Sequence, residues 1–548
     1  MHRSTLRRGL WTVAACISIS TLPAASASAQ ATAPSPNDWP SYNRTLPGDR
    51  FSPLAEIDRS NVAKLRVSCS YSLPEVTDLQ TGPIVVDGTM YFSTDTITYA
   101  IDAGSCTERW KSVRHKPTRG GGGGVNRGVA IMDGRVFRGT DDSHVLALDA
   151  KDGHTLWDVT LDIAGPGVSI PMAPVAWNGL VYIGNAGGDR VGVIGHVYAF
   201  DARDGHLVWT FDVVPKVGPA RSTWGKGAAA EYPISGGAFW TSFTLDDVNG
   251  VLYVPAGNPA PDFDSAMRDG ENLYANSVIA LDAASGRMRG YNQLVKHDFH
   301  DWDVDSPPTL ATTRAGRAIV ASANKDGLLS VVDRSALTDH AVKRDQPIEL
   351  PLLFQSPTTT RENVDVPFSR DQKTHFCPGS LGGSEWNGAA YDRTHDLIVV
   401  GAADWCSSVQ LQRESTPVPN VGQSWFGNDG GFGRVMDPGT TAKGWITAFD
   451  AASGRVRWKF GTPRPVLGGI TPTAGGLVFG ADLSGDLYAF DAESGHVLWQ
   501  TAVGQSVGGG IVSYRAGGRQ RIAVTAGMRS PLWNDASQMS RIVVYALP

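Results

Sequence analysis

Three scarcities bound what this chain can be. No stretch beyond the first residues is long and apolar enough to span a bilayer, so a helical membrane protein is excluded. No long segment carries a 3.6-residue apolar period, which excludes a helical bundle or a helical solenoid. Only 19% of residues are charged and the formal net charge is −6, so no basic surface speaks for nucleic acid or an anionic membrane. Cysteine is sparse, five in 548 residues, and there is no Cys-x-x-Cys-His haem attachment site in the sequence. Glycine is abundant, with 63 residues beside 33 prolines and 41% hydrophobic residues, the profile of a large all-β protein with many tight turns.

A repeat decides the architecture. Ala147-Leu-Asp-Ala-Lys-Asp-Gly-His-Thr-Leu-Trp157 recurs with endings at Trp209, Trp458 and Trp499, more loosely at Trp110, and at Gly290 with its Trp lost. Each copy is an apolar strand, an Asp-Ala-x-x-Gly turn whose Gly can take positive φ, and a second strand bearing a large aromatic. Such a hairpin cannot bury both faces alone, so copies must stack. Spacings of 47 residues from Trp110 to Trp157, 52 to Trp209 and 41 from Trp458 to Trp499 suit one four-stranded propeller blade per repeat. The last strand, 541–547, is expected to pair with the N-terminal region and close the ring. Insertions at 213–236, 259–276, 346–376 and 408–441 read as site-building loops, with no second domain.

Residues 1–29 read as a secretory signal: Arg3, Arg7 and Arg8, an apolar stretch from Leu10 to Leu22, then Ala27-Ser28-Ala29 as a cleavage site. Export to the periplasm with cleavage near Ala29 is therefore expected, leaving 30–548 as one propeller domain. Val13-Ala-Ala-Cys16 weakly resembles a lipoprotein box, and Arg7-Arg8 hints at export in folded form. The four remaining cysteines of an exported chain favour disulfides. Of three possible pairings, Cys69–Cys106 and Cys377–Cys406 are preferred because each pair lies within one candidate blade.

The densest chemistry is His297-Asp-Phe-His-Asp-Trp-Asp-Val-Asp305, with four acids and two His in nine residues. A solvated acidic loop is the bland reading. The interleaved Phe299, Trp302 and Val304 argue for partial burial, where a hard cation with oxygen ligands is the natural neutraliser. Polar segments at strand exits, Gly184-Asn-Ala-Gly-Gly-Asp189, Gly257-Asn258-Pro259, Val125-Asn-Arg127-Gly and Asn324-Lys325-Asp-Gly, are each compatible with ordinary turns.

The order and wording of these segments resemble the pyrroloquinoline-quinone (PQQ)-dependent alcohol dehydrogenases, over nearly the whole chain after residue 29. The resemblance is carried by Arg50-Phe-Ser-Pro-Leu-Ala-Glu-Ile, Val125-Asn-Arg-Gly-Val-Ala, Gly236-Gly-Ala-Phe-Trp240, Gly257-Asn-Pro-Ala-Pro, Gly270-Glu-Asn-Leu-Tyr, Asp301-Trp-Asp-Val-Asp305, Asn324-Lys-Asp-Gly and Thr473-Ala-Gly-Gly-Leu-Val-Phe479. It implies an eight-bladed β-propeller that oxidises an alcohol or related hydroxyl compound, with PQQ and either Ca²⁺ or a lanthanide ion. Asp303 matches the family's catalytic base. Asn258 matches a metal ligand, Asp189 falls where the family has a glutamate ligand, and Asp305 resembles the extra ligand of the lanthanide-using branch. Trp240 matches the tryptophan stacked on the cofactor, Arg127 a carboxylate-binding arginine and Lys325 the basic residue beside the quinone oxygens. Several positions depart from the pattern. Gly121-Gly122 replaces an adjacent cysteine pair that covers the cofactor, Gln80 replaces a cofactor-contacting glutamate, and Glu385 stands where an asparagine is expected, with Asn387 close by. Without a haem motif, electrons are expected to leave to a separate acceptor such as a cytochrome c. Two rival expectations are a non-catalytic propeller serving as a scaffold or assembly factor, and a polymer dehydrogenase of the polyvinyl alcohol type.

Overall fold

The computed structural model describes residues 35–114, 124–161, 167–225, 232–338, 346–432, 435–533 and 535–548. The expected signal segment, Cys16 and Gly121-Gly122 lie outside them. Within these residues eight antiparallel sheets follow one another as blades: blade 1 at 84–113, blade 2 at 130–160, blade 3 at 175–212, blade 4 at 244–293, blade 5 at 309–357, blade 6 at 390–462, blade 7 at 471–502 and blade 8 at 511–546. The chain is an eight-bladed β-propeller. Inner strands such as Ile97–Asp102 are buried almost throughout, whereas the outer strand Glu108–Val113 exposes alternate polar residues and buries Trp110.

The repeat is the docking device between blades. Trp110 Nε1 of blade 1 donates to Ala150 O in the blade 2 turn at 3.0 Å, and the Trp110 ring sits 2.5 Å from where a Cβ on Gly153 would fall. Only glycine, here at φ +78°, admits the ring. Trp157, Trp209 and Trp458 repeat the contact with Ala202 O, Ala283 O and Ala492 O at 3.2, 3.1 and 2.9 Å. Blade 5 substitutes Phe354, which packs against Gly454. Gly290, which lacks the Trp, has gained something else. A fifth strand, Ile348–Glu349, pairs parallel with Gly290 and Tyr291, and a side chain at 290 would press on Ile348 O at 3.0 Å.

The ring closes as expected, since the N-terminal strand Arg66–Ser72 pairs antiparallel with Arg541–Ala546 as the outer strand of blade 8. Both expected disulfides are present. The first does not lie within one blade as expected: Cys69 is in blade 8 and Cys106 in the last turn of blade 1, so this bond joins two blades across the seam. Replacing Cys69 and Cys106 with serine should destabilise the fold by about 2–5 kcal/mol, read as a lower denaturant midpoint, and native protein should show no reactive thiol at these positions. An unchanged midpoint would mean that strand pairing alone closes the ring.

The insertions do converge. Arg370 of one segment pairs with Asp264 of another at 2.8 Å, Phe263 N donates to Phe426 O at 2.9 Å and Leu411 N to Ser369 O at 2.9 Å.

Candidate active site

In a four-stranded meander the loops between the second and third strands and those entering the next blade share one end. At this end the chemistry-bearing residues meet. Arg127 precedes blade 2, Asp189 follows the second strand of blade 3, Trp240 precedes blade 4, Asn258 follows its second strand, and 297–305 lies between blades 4 and 5. Lys325 occupies the second-to-third turn of blade 5, and Glu385 enters blade 6.

The acidic segment is folded by its own side chains. Asp298 accepts from His300 N through Oδ1 and from Trp302 N through Oδ2, both at 3.0 Å, and Asp301 takes φ +64°. Asn276 Nδ2 donates to Trp302 O at 2.6 Å, and the indole donates to Pro378 O at 3.0 Å while stacking 3.8 Å from the His300 ring. Asp301 and Asp303 are thereby brought to one ammonium: Lys325 Nζ donates to Asp301 Oδ2 at 3.2 Å and to Asp303 Oδ2 at 2.8 Å. Asp303 Oδ1 accepts from Asn258 N at 2.9 Å, and a Cβ at Gly257 would fall 2.4 Å from that oxygen, so glycine is required there by close approach.

Asn258 Nδ2 donates in turn to Asp262 Oδ1 at 3.2 Å. The Arg268 guanidinium holds that acid in place by donating to Pro261 O at 3.0 and 2.9 Å and to Asp262 O at 3.0 Å. Carboxylate oxygens of Asp189, Asp262 and Asp301 come within 4.8 Å of one another, Asp262 and Asp301 buried and Asp189 more open. Asp305 points elsewhere, toward Glu385, and both of its oxygens are buried with no hydrogen-bond partner, as is Asp262 Oδ2.

The electrostatics follow from six carboxyl groups facing few cations. Burial, then Asp303, raises the Asp189 carboxyl to about 6, and burial raises Glu385 to about 7. Asp262, Asp301 and Asp305 are held well above the usual carboxylate range by burial first and then by neighbouring carboxylates, Asp189 for Asp262, Asp303 for Asp301 and Glu385 for Asp305. Burial alone would lower the Lys325 ammonium, but Asp301 and Asp303 outweigh it and hold the group well above its ordinary value. Among the described residues, this cluster has the donor set of a hard, oxygen-liganded cation, and its unpartnered buried oxygens fit one.

Beside the acids is an aromatic platform. Trp240 is partly buried, with the Arg127 guanidinium 4.8 Å from its ring centre and the Lys325 ammonium 6.0 Å away. Arg127 is equally close to Trp386, 4.8 Å, and its Nε is buried without a partner. Gln80 donates to Asp78 at 3.0 Å and leaves Oε1 buried and unpartnered. Asn387 is engaged in a different way, with its amide oxygen accepting from Tyr42 at 3.0 Å and its nitrogen donating to Gly508 O at 3.2 Å. A planar, negatively charged ring against Trp240, next to two fixed cations, is what this surface would accept.

Sequence comparison places the chain. The family model for the glucose/ethanol/alcohol dehydrogenase β-propeller domain matches residues 39–336, more than half of the chain. The chain belongs to the PQQ-dependent alcohol dehydrogenase family. A second model, that of the outer membrane protein assembly factor BamB, matches 442–544, the blade 6 to blade 8 repeats. Quinohemoprotein alcohol dehydrogenase ADH IIB of Pseudomonas putida is 29% identical over 91% of this chain and 75% of its own, and the Comamonas testosteroni quinohemoprotein alcohol dehydrogenase is 28% identical over 95% and 79%. The crystal structure of the Comamonas testosteroni enzyme superposes with a TM-score of 0.81 at 25% identity, covering 93% of this chain and 80% of that one. A europium-containing methanol dehydrogenase shares the fold at a TM-score of 0.79 and 23% identity, over 94% and 99%.

For a PQQ-dependent dehydrogenase, the sequence reading missed two acids. Asp262 was overlooked although it lies only four residues after Asn258, and Asp301 was visible inside the acidic segment without a role. No periodic signal marks either; both reach the cluster through the Arg268 and Lys325 contacts.

Proposed function

We propose that this protein oxidises an alcohol at PQQ seated against Trp240, with a hard cation among the carboxylates. The observation that carries the reading is the gathering of six carboxyl groups, five of them buried, around Lys325 and Arg127, several of their oxygens lacking any donor. When bound, the quinone supplies a hydride acceptor and the cation Lewis-acid polarisation. Asp189, Asn258, Asp262, Asp301 and Asp303 would hold the ion, with Asp305 and Glu385 adding negative charge at its far side. Arg127 and Lys325 would orient the quinone carboxylates and carbonyls, and Gln80 would offer its free oxygen to that group. Asn387 would act at one remove by fixing the segment that carries Glu385.

Asp303 is the base in this reading. Its Oδ1 is fixed by Asn258 N and its Oδ2 by Lys325 Nζ, so the carboxylate is aimed before substrate arrives, and the alcohol proton would pass to it. The signal-like 1–29 segment supports export to the periplasm as a single 30–548 domain. Electrons would pass on to an acceptor such as a cytochrome c.

The high carboxylate count supports a trivalent ion as well as Ca²⁺, because the added negative charge is better neutralised. Asp305→Ala should therefore abolish activation by La³⁺ or Ce³⁺ while sparing activation by Ca²⁺, measured by dye-coupled alcohol oxidation and by binding of the metal alone. Equal loss with both metals would assign Asp305 to structure, and wild-type activity with Ca²⁺ alone would reject the lanthanide reading.

A further inference from the structure

One covalent bond sits at the base of the reacting centre. The loop 377–385 begins at Cys377, bonded to Cys406, and ends at Glu385. Along the way Pro378 O accepts from the Trp302 indole at 3.0 Å, and Ser380 Oγ donates to His300 O at 3.2 Å, so the loop braces the turn that carries Asp301 and Asp303. Ser384 N donates to Asn324 O at 3.0 Å, and a Cβ on Gly383 would lie 2.6 Å from Lys325 Cα, so the same loop also backs the Lys325 turn.

The chemistry around this disulfide is unlike that around the other. His375 Nε2 lies 3.6 Å from Cys377 Sγ, while His375 Nδ1 faces Ser408 Oγ at 3.3 Å and Asp437 Oδ2 at 3.5 Å. A ring nitrogen this close to a sulfur is placed to interact with the thiolate that forms there when the bond breaks. Cys377 is buried, at 1% exposure, whereas Cys406 is half-buried, so the less buried cysteine and the one beside the imidazole are different residues. Among the described residues no imidazole hydrogen-bonds to Cys69–Cys106, whose Cys69 Sγ meets Gly104 O at 3.6 Å.

We propose that Cys377–Cys406 is a thiol-exchange site whose opening loosens the reacting centre. A thiolate of an external dithiol bonds to Cys406 Sγ as the Sγ–Sγ bond breaks, and the electron pair leaves on Cys377 beside His375. The second thiol of the same reagent then displaces Cys406. The dithiol ends as a disulfide, and the protein gains two electrons and two protons as two thiols. Opening removes the covalent tie at the start of loop 377–385, which keeps backbone bonds such as Gly379 N to Trp405 O at 2.7 Å, and the brace on the Asp301–Asp303 and Lys325 turns weakens.

The part of this inference concerning metal rests on the proposed cation site, and the test separates the two. Full-length protein is treated with dithiothreitol for increasing times, freed of reagent anaerobically, and divided between thiol mapping by differential alkylation and titration with Tb³⁺ alone. Cys377–Cys406 should open well before Cys69–Cys106, His375→Ala should slow that opening about tenfold through the poorer leaving group, and opening should weaken Tb³⁺ binding about tenfold, as loss of outer-shell support does. Reoxidation should restore it. Simultaneous opening of both disulfides, no effect of His375→Ala, or unchanged Tb³⁺ affinity after opening would each overturn the inference. Failure of the oxidised protein to bind Tb³⁺ would instead refute the cation reading, and the exchange rates would then decide alone.

Discussion

Asp303→Asn should lower dye-coupled alcohol oxidation by roughly two to four orders of magnitude, the usual range for loss of a positioned base, with quinone retention nearly intact. The amide keeps the size of the side chain and can still accept from Asn258 N, which donates at 2.9 Å to the native carboxylate. What it cannot do is take a proton. The comparison that matters is therefore kcat at saturating substrate beside quinone content measured on the same sample. A variant that loses quinone and activity in parallel would leave Asp303 with its metal-holding role alone and no role as base, and one that keeps activity would place the base elsewhere, with Asp301 the nearest alternative.

Lys325→Met should produce the largest loss of stability of any single site substitution. The native ammonium is 6% exposed and bonded to two carboxylates, themselves 5% and 7% exposed. Removing one partner of a buried ion pair leaves uncompensated charge and costs about 3–5 kcal/mol. Here the remaining charges are negative and gathered near Asp189 and Asp262, so a cation can replace part of what Lys325 supplied. Saturating Ca²⁺ should return a measurable share of the lost denaturation midpoint in the variant, and by a larger increment than in wild-type protein. A loss below about 1 kcal/mol, the range of exposed pairs, would mean that solvent already screens the cluster.

The fold was legible because its determinant is local and repeated. The Trp-to-Gly spacing encodes a ring seated on the turn of the next blade, and Trp110 on Gly153 or Trp458 on Gly495 can be read without knowing the ring size. Eight blades came from resemblance, because blades 4, 5 and 8 deviate from the repeat. Gly290 illustrates the limit: the sequence shows a missing Trp, whereas the structure shows that its absence makes room for Ile348–Glu349, nearly sixty residues downstream. The seam is similar. Cysteines 37 residues apart read as one blade, yet Cys69–Cys106 spans two because the first strand joins the last blade.

The site was legible residue by residue and less so as a grouping. Asp189, Asn258, Asp303, Lys325, Arg127 and Trp240 stand together at one end of the ring. Asp303 and Asp305 stand two apart, a spacing that shares one face only along an extended segment, yet Asp298 folds the chain at 300–302 by accepting from two of its amides, and Asp305 lies by Glu385 while Asp301 joins Asp189 and Asp262. A side chain that accepts from backbone within its own loop sets that geometry, and no alternation in the sequence announces it.

The most direct test of the account is the retention of PQQ by this protein. Apo protein is mixed with PQQ and with Ca²⁺, La³⁺ or no metal, passed through gel filtration, and its absorption spectrum recorded. The account predicts that the quinone travels with the protein when metal is present, that it is lost when metal is omitted, and that Trp240→Ala releases it under all conditions. Protein that emerges free of quinone with every metal would contradict a dehydrogenase and leave the propeller as a scaffold.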